Sequence, residues 1–446
     1  MSTDAITTFF DTHPVSRETV HDRLRGTIFG GALGDAIGLY TEFLSKDLGR
    51  QAYPEGKFQL VEPVTAFEAD QHRCTGWTDD TDHALLILLS YLHNNGRLDP
   101  LDFAHRLQFW VEQGLRCLDR LPLGLGRTVG QVVCDKNFLN DPPETAYRKW
   151  DKTRRNAAAN GSLMRTYPLG IMCFDKSLEE TFLIARDFSL VTHADPRCIV
   201  SCCLVTALIR GILRKEVVTE SDIDKLIEAS LTWTESWIGE ENGLGSSDRY
   251  TPIDRDEFRK NAFAQSLESL QLDDAMKMGY VYKALGASIL LLRQGLRRSN
   301  SSGPPSLFED LITHLIMEGG DADTNAAVAG SLLGALIGYN GLPAKWRDGV
   351  MHAGWLLAKC DALASVTMID PLSEPYNGKD DPDTGLEGGK PRLTLPELHQ
   401  REREFSERWL RASSEALEKR AREKEKLQQG RKERPGSRLR RFLFGK

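Results

Sequence analysis

The sequence lacks the marks of several large protein classes. Its eight cysteines are scattered, with no Cys-x-x-Cys pair and no zinc-spaced Cys/His set. Cysteines used in this way are typical of buried, reduced thiols in an intracellular compartment. The N-terminus has no basic start followed by an apolar core, and no run reaches the roughly 18 apolar residues of a membrane span. The longest candidate is Ala326 to Tyr339. We therefore expect an intracellular protein, cytoplasmic or nuclear, with no membrane span.

Common catalytic signatures are also missing. The chain has no Gly-x-Ser-x-Gly elbow, no Walker A loop and no His-Glu-x-x-His. The segment from Gly124 to Gly130 superficially matches a dinucleotide-binding loop, but no strand precedes it and no βαβ unit surrounds it. We therefore reject a Rossmann fold, and a flexible loop beside an anionic ligand stays open.

Positive charge is in excess only near the C-terminus. Residues 401–446 contain 16 Lys and Arg against 8 Asp and Glu, a net of +8, so a whole-chain charge of −7 leaves −15 on residues 1–400. An acidic body of this kind is unlike a nucleic-acid binder. The basic tail is suited to contact nucleic acid, an anionic membrane or an import receptor, although such tails are often only solvated.

Helical periodicity runs through nearly all of the first 370 residues. Apolar residues recur at helical spacing, for example from Asp273 to Leu296, whereas strand-like alternation is scarce. The predicted fold class is therefore all-α. Glycines recur every fourth residue in two segments, and because glycine destabilises a helix interior, we expect these two faces to let buried helices approach closely. They are Gly26, Gly30, Gly34 and Gly38, and then Gly330, Gly334 and Gly338.

Composition predicts five segments along the chain. After an N-terminal segment, 1–20, the helical body at 21–370 reads as one domain. The stretch 371–396 is rich in Pro, Gly and Asp, which indicates a linker. A charged helix at 397–429 has too few regular apolar positions for a coiled coil, and a basic, disordered tail at 430–446 ends the chain.

Two short acidic runs, far apart in the sequence, each open an apolar helical segment. Asp79, Asp80 and Asp82 belong to the first, and Asp321 and Asp323 belong to the second, after a Gly-Gly pair. Helix capping alone explains one or two carboxylates in each run. If the fold brings the runs together, the cluster would repel itself unless a divalent cation were bound. Carboxylate and hydroxyl oxygens are the ligands that Mg²⁺, Mn²⁺ and Ca²⁺ prefer.

Other polar residues stand at positions where a ligand could reach them. Asp35 lies inside the glycine-rich helix, so we expect it to pair with a buried donor. Glu42 follows at the helix end, better placed to face a cavity, although a lone Glu is usually a surface residue. Asn160-Gly161-Ser162 marks either a simple helix cap or a turn whose N–H groups suit phosphate oxygens. His193 could contact a ligand, although a lone His is more often structural.

Taken in order, these motifs resemble the ADP-ribosylglycohydrolase family, which includes the dinitrogenase reductase-activating glycohydrolases. The resemblance spans roughly residues 20–365, and five motifs in order make it specific. They are Gly30-Gly31-Ala32-Leu33-Gly34-Asp35-Ala36-Ile37-Gly38 with Glu42, Trp77-Thr78-Asp79-Asp80-Thr81, Asn160-Gly161-Ser162-Leu163-Met164-Arg165, Thr192-His193-Ala194-Asp195-Pro196, and Gly319-Gly320-Asp321-Ala322-Asp323-Thr324-Asn325.

The resemblance implies a compact all-α orthogonal bundle with a cleft for two divalent ions, Mg²⁺ or Mn²⁺. The implied activity is hydrolysis of the glycosidic bond between ADP-ribose and a modified acceptor by activated water, with ADP-ribose as a product. It also implies a role for Glu42 or Asp80 in proton transfer. The implied metal ligands are Thr78, Asp79, Asp80, Asp321, Asp323 and Thr324, and the implied ADP-ribose contacts are Asn160, Gly161, Ser162 and His193.

One departure from the family pattern leaves the general base open. Some relatives have an acidic residue just before the Asn-Gly turn, where this chain has Asn156-Ala157-Ala158-Ala159. A module that binds ADP-ribose without turnover is the alternative, although the acidic set is intact. An isoprenoid synthase is a poorer match, because the run that starts at Asp79 lacks the fifth-position Asp of a DDxxD box.

Overall fold

The chain folds as an all-α protein, which confirms the predicted fold class. The computed structural model describes residues 3–60, 76–244, 248–299, 304–370 and 376–432, and within these ranges it contains helices and three isolated β-bridges but no strand. The α-helices are α1 (Thr3–Thr12), α2 (Arg17–Gly38), α3 (Lys46–Ala52), α4 (Asp79–His93), α5 (Pro100–Gln113), α6 (Arg127–Val133), α7 (Pro142–Lys152), α8 (Tyr167–Met172), α9 (Leu178–Leu190), α10 (Pro196–Leu213), α11 (Glu220–Gly243), α12 (Arg255–Ala262), α13 (Val281–Ser299), α14 (Pro304–Ile316), α15 (Ala322–Ile337), α16 (Ala344–Arg347), α17 (Ala353–Val366) and α18 (Leu395–Lys432).

Helices α2 and α15 form a glycine-lined antiparallel pair at the centre of the fold. A Cβ on Gly30 would lie 2.2 Å from the carbonyl oxygen of Gly330, and one on Gly26 would lie 2.3 Å from that of Gly334. Any larger side chain there would push the helices apart. The prediction that the two glycine faces serve close packing is confirmed, and the packing sets the C-terminal end of α2 beside the N-terminal end of α15.

The Gly-Gly pair before Asp321 supplies a turn that other residues could not make. Gly319 and Gly320 have φ angles of +72° and +73°, in the left-handed region that favours glycine. A Cβ on Gly320 would also lie 2.0 Å from the carbonyl oxygen of Leu272. The backbone here exchanges hydrogen bonds with the segment that follows α2, because the N–H of Phe43 donates to the Gly320 carbonyl at 2.7 Å. This turn therefore ties the second acidic run to the end of α2.

Helix α10 is the apolar axis of the core. By length and composition its 18 residues could cross a membrane, which corrects the expectation that no segment reaches that length. In this structure 94% of the stretch is buried inside the protein. Cys198, Cys202 and Cys203 lie on this helix as buried, free thiols. The helix therefore packs as the core element of the bundle.

The segment that composition assigns to a linker makes many contacts with the body. Within its described part, 376–396, the carboxylates of Asp381 and Asp383 lie 2.6 and 3.0 Å from the buried Lys359 ammonium. A Cβ on Gly378 would lie 1.9 Å from the Leu92 carbonyl oxygen. Residues 371–375 and the basic tail from 433 onward lie outside the described residues. The division of the chain into domains stays a prediction.

Candidate active site

A cleft of about 930 Å³ brings the two acidic runs together with the Asn-Gly turn. Its volume suits a ligand of nucleotide size. Of the eleven predicted site residues, the side chain of Ser162 alone is turned away from it, into the core. The ten that line it are Glu42, Thr78, Asp79, Asp80, Asn160, Gly161, His193, Asp321, Asp323 and Thr324.

Asp35 fixes the position of the N-terminal end of α4. Its buried carboxylate accepts hydrogen bonds from the backbone N–H groups of Thr78 and Thr81, each at 3.0 Å. It also accepts from the Thr78 hydroxyl at 3.0 Å and the Thr81 hydroxyl at 2.7 Å. Burial raises the pKa of Asp35 to about 6 against the lowering effect of these donors. The predicted pairing with buried donors is confirmed, and these bonds set where the first acidic run begins.

Asp82, one turn into α4, is also a structural carboxylate. It is fully buried and accepts hydrogen bonds from the Trp77 indole at 2.8 Å and the Trp110 indole at 2.9 Å. The Arg120 guanidinium lies 3.4 Å away and stacks over the Trp77 ring. Burial raises the pKa of Asp82, and Arg120 and the two indoles oppose that effect. Asp82 therefore anchors the helix and faces away from the cleft.

Asp80 and Asp323 are buried carboxylates with few donors. They are 2% and 4% exposed, and within the described residues Asp80 Oδ1 and Asp323 Oδ1 have no hydrogen-bond partner. Burial raises the pKa of Asp80 well above its usual value, and the charges of Asp35, Asp79 and Asp321 raise it further. Burial also raises the pKa of Asp323, with Glu42 and Asp80 the next largest causes. The two runs, 241 positions apart in sequence from Asp80 to Asp321, are therefore close enough to repel each other.

Helix capping, the simpler explanation, does not account for Asp321. This residue occupies the N-cap position of α15, yet its side chain accepts no capping hydrogen bond from the helix. One carboxylate oxygen instead accepts from the Asn160 side-chain amide at 2.8 Å. Capping does not account for Asp80 either, because the N-cap of α4 is Thr78. The Thr78 hydroxyl accepts a hydrogen bond from the Asp80 N–H at 3.4 Å. Asp80 is thereby left with its carboxylate toward the cleft.

The oxygen ligands at the cleft are of the kind that hard divalent cations prefer. Oxygen atoms of carboxylates and hydroxyls surround one end of the cleft, and two buried carboxylate oxygens there have no partner among the described residues. Among the described residues, no group of three or more His, Cys, Asp or Glu that could hold a metal ion is found. The two-metal assignment and the individual ligands therefore stay predictions.

His193 and the Asn-Gly turn form another wall of the cleft, which meets the acidic residues where Asn160 contacts Asp321. A Cβ on Gly161 would lie 3.1 Å from His193 Cε1, so glycine lets the imidazole lie close against the turn. The ring is 2% exposed, and burial together with the Arg165 charge lowers the pKa of His193 to about 3. Ser162 accepts a hydrogen bond from the Ser189 hydroxyl at 3.0 Å inside the core. Its position suits it to hold the turn.

Sequence reasoning missed a further wall of the cleft, which contains Arg197, Tyr280 and Glu257. Arg197 pairs with Asp195 at 2.7 Å and lies 5.7 Å from the Tyr280 ring centroid. The Tyr280 hydroxyl donates to Glu257 at 3.0 Å. The helix predicted from Asp273 begins only at Val281, so Tyr280 is in an irregular segment that pairs with the Asn-Gly turn through an isolated bridge. The signal available was the Asp-Pro-Arg sequence that caps α10.

Comparison with known proteins decides the family. The family model described as ADP-ribosylglycohydrolase matches residues 16–371, most of the chain. The chain belongs to the ADP-ribosylglycohydrolase family. It is similar to the ADP-ribosylarginine hydrolase Tri1 of Serratia proteamaculans, 27% identical over 337 residues that cover 74% of this chain and 76% of that protein.

Two further comparisons agree with this family. The ADP-ribosyl-[dinitrogen reductase] glycohydrolase of Rhodospirillum rubrum is 21% identical over 332 residues, which cover 74% of this chain and 90% of that protein. A solved structure titled ADP-ribosylglycohydrolase-related protein complex matches 79% of this chain and 100% of its own, with a TM-score of 0.51 and 22% identity. That likeness shows the fold of this family in the chain.

Proposed function

We propose that this family member is a Mg²⁺- or Mn²⁺-dependent hydrolase that cleaves the glycosidic bond between ADP-ribose and a modified acceptor. The observation that carries the proposal is a pair of buried oxygens beside one cleft, on Asp80 and Asp323, that have no partner in the part of the chain that the structure describes. Buried carboxylates that repel one another destabilise a fold unless a cation neutralises them. Family membership supplies the reaction class.

The acidic end of the cleft would hold two divalent ions. Once bound, such ions neutralise the carboxylates and polarise the oxygen atoms that reach them. The side chains suited to this are those with oxygen atoms at that end of the cleft: Thr78, Asp79, Asp80, Asp321, Asp323 and Thr324.

Residues of the chain itself would orient the ribose and carry out the proton transfer. Cleavage at the anomeric carbon develops positive charge on the ribose ring, which an acidic cleft stabilises electrostatically. Glu42 and Asp80 are the two carboxylates proposed to accept or deliver a proton, because both line the cleft and Glu42 is near enough to Asp323 to raise its pKa.

The diphosphate of ADP-ribose would lie away from the acidic end. Three cationic side chains, Arg127, Arg197 and Lys277, also line the cleft. The backbone N–H groups of Gly161 and Ser162 suit phosphate oxygens, whereas that of Asn160 already donates to the Gly279 carbonyl at 3.1 Å. Attraction at one end and a metal-dependent sugar site at the other would fix the direction in which the ligand binds.

The test is a panel of ADP-ribose linked to arginine, serine and nucleic acid, each incubated with and without a chelator. Arginine is the first acceptor to test, because Tri1 relatives are named for it. Release of ADP-ribose from at least one substrate, lost with the chelator, supports the proposal. Binding of ADP-ribose with no release from any substrate would favour a binding module instead.

Location and other partners remain proposals. We propose an intracellular location, cytoplasmic or nuclear, from the reduced thiols. We also propose that the basic residues at 430–446 contact nucleic acid or an import receptor, which a tail-deleted variant compared with the full chain by fractionation would test.

A further inference from the structure

The wall of the cleft at His193 is backed by a short chain of hydrogen bonds into the core. His193 Nδ1 lies 2.7 Å from the Thr192 hydroxyl, and the Arg165 guanidinium donates to that same hydroxyl at 2.8 Å. All three residues are buried, between 1% and 2% exposed. Within the described residues, His193 Nε2 is buried and has no partner, and the imidazole lines the cleft.

Counting hydrogens along this chain fixes where the imidazole proton lies. A guanidinium can only donate, so the Thr192 hydroxyl accepts from Arg165. The hydroxyl has one hydrogen, and its other neighbour in the described structure is His193 Nδ1. If Nδ1 were the donor instead, the hydroxyl hydrogen would be buried with no acceptor, which is unfavourable. Thr192 therefore donates to Nδ1, and the proton of the neutral imidazole is on Nε2.

The surroundings keep this imidazole neutral. The charged group that faces it is Arg165, a buried cation, and burial acts in the same direction, so the pKa of His193 falls to about 3. The neighbouring buried His83 has its pKa lowered for the same reasons. His193 is thus an uncharged N–H donor at physiological pH and is poorly suited to deliver a proton.

We propose that Arg165 and Thr192 are positioning residues that lock His193 as its Nε2–H tautomer, so that Nε2 donates a hydrogen bond to an acceptor oxygen of the bound ligand. The ligand named here, ADP-ribose, rests on the proposed function. Its diphosphate and ribose oxygens are acceptors of the required kind. Glycine at position 161 keeps Nε2 uncrowded, because a Cβ there would lie 3.2 Å from this nitrogen.

The test compares Thr192→Val, which removes the hydroxyl at nearly constant volume, with Thr192→Ser, which keeps it. The full chain is labelled with ¹⁵N-histidine, and the His193 signals are assigned by their loss in His193→Gln. Without ligand, the imidazole nitrogen shifts of wild type and Thr192→Ser should show the proton on Nε2, and those of Thr192→Val should show a mixture of tautomers. The Kd for ADP-ribose should weaken about tenfold in Thr192→Val and recover in Thr192→Ser, as expected for one lost hydrogen bond.

Three outcomes would overturn the proposal or part of it. A proton on Nδ1 in the wild type removes its basis, and this measurement needs no variant to fold. Unchanged tautomer and unchanged Kd in Thr192→Val would show that the hydroxyl positions nothing. If wild type binds no ADP-ribose while Nε2 is protonated, the proposed function fails and the assigned ligand with it, whereas the tautomer lock is supported.

Discussion

The helix that begins at Asp79 separates two kinds of buried carboxylate. On its core side, Asp35 and Asp82 accept hydrogen bonds from threonine, tryptophan and backbone donors, and Asp82 also pairs with Arg120. On its cleft side, Asp80 and Asp323 are just as buried, yet each has an oxygen without a partner in the described structure. Burial alone therefore does not separate the structural acids from those proposed to bind metal. The supply of donors does.

This difference has an energetic meaning. A buried carboxylate with a full donor set holds elements together, whereas one that faces other carboxylates raises the free energy of the folded state. Such strain is expected where a site is built to bind opposite charge. The two sets should therefore respond in opposite ways to the same substitution.

The largest expected effect is a loss of turnover when a carboxylate on the cleft side is replaced. Asp80→Asn or Asp323→Asn should lower the rate of ADP-ribose release by at least about 100-fold, because the carboxylate proposed to bind metal is lost. The free energy of unfolding should stay the same or rise, because one repelling charge is gone. Rates come from product release and stability from urea titration. Wild-type rates in both variants would contradict the proposal that these carboxylates bind metal.

The same substitution on the core side should act on stability. Asp82→Asn leaves the buried Arg120 guanidinium without its counterion, so we expect a loss of about 3–5 kcal/mol in the free energy of unfolding. Asp80→Asn, two residues earlier on the same helix, is the matched control. Urea midpoints measured side by side decide the matter. If the two variants were equally stable, the distinction between the two faces would be wrong.

Sequence alone predicted the parts of this site that depend on local pattern. Glycines at every fourth residue share a helix face, so close packing of each face against another helix could be foreseen. That the two faces meet each other, with Gly30 against Gly330, is known only from the structure. The acidic runs were found because several carboxylates together exceed what helix capping needs. The Asn-Gly turn was found because that residue pair favours a turn. Their convergence in one cleft was expected from the family resemblance and agrees with the structure.

What the sequence could not supply depends on contacts between distant segments. Asp80 and Asp82 have nearly the same local surroundings, and only the arrival of Trp110 and Arg120 from elsewhere separates them. The stretch after 376 has a linker's composition, but its packing depends on Gly378 approaching the end of α4. Tyr280 was hidden because helical periodicity does not show where a helix first becomes regular.

Divalent cation should reduce the repulsion on the cleft side. At a free Mg²⁺ concentration about 100 times its Kd, the free energy of unfolding should rise by about 2.7 kcal/mol, because the ion binds the folded state. Asp323→Asn should lose most of this gain, whereas Thr192→Ser should keep it. The measurement is urea unfolding with Mg²⁺ or with chelator. Equal stability of the wild type under both conditions would count against a metal site at these carboxylates.

The smallest effects concern the helix pair that brings the two runs together. Gly30→Ala places a Cβ only 2.2 Å from the Gly330 carbonyl oxygen, so the two helix backbones must move apart. We expect a loss of about 1–3 kcal/mol in the free energy of unfolding, typical of overpacking. Gly239→Ala is the control, because it lies inside helix α11 with nothing within 4 Å of the new Cβ. It should gain about 0.5–1 kcal/mol from helix propensity.

The packing of α2 against α15 also sets the position of Asp323 in the site. The comparison of Gly30→Ala with Gly239→Ala therefore has a second measurable outcome. Asp323 is against the end of the glycine face, since a Cβ on Gly38 would lie 2.2 Å from its Cα. Widening the helix pair should therefore move Asp323 away from Asp80. Gly30→Ala should then show less stabilisation by Mg²⁺ than Gly239→Ala, measured as the difference in urea midpoint with and without the ion. An equal response in both variants would mean that the glycine face supports the fold without setting the geometry of the carboxylates.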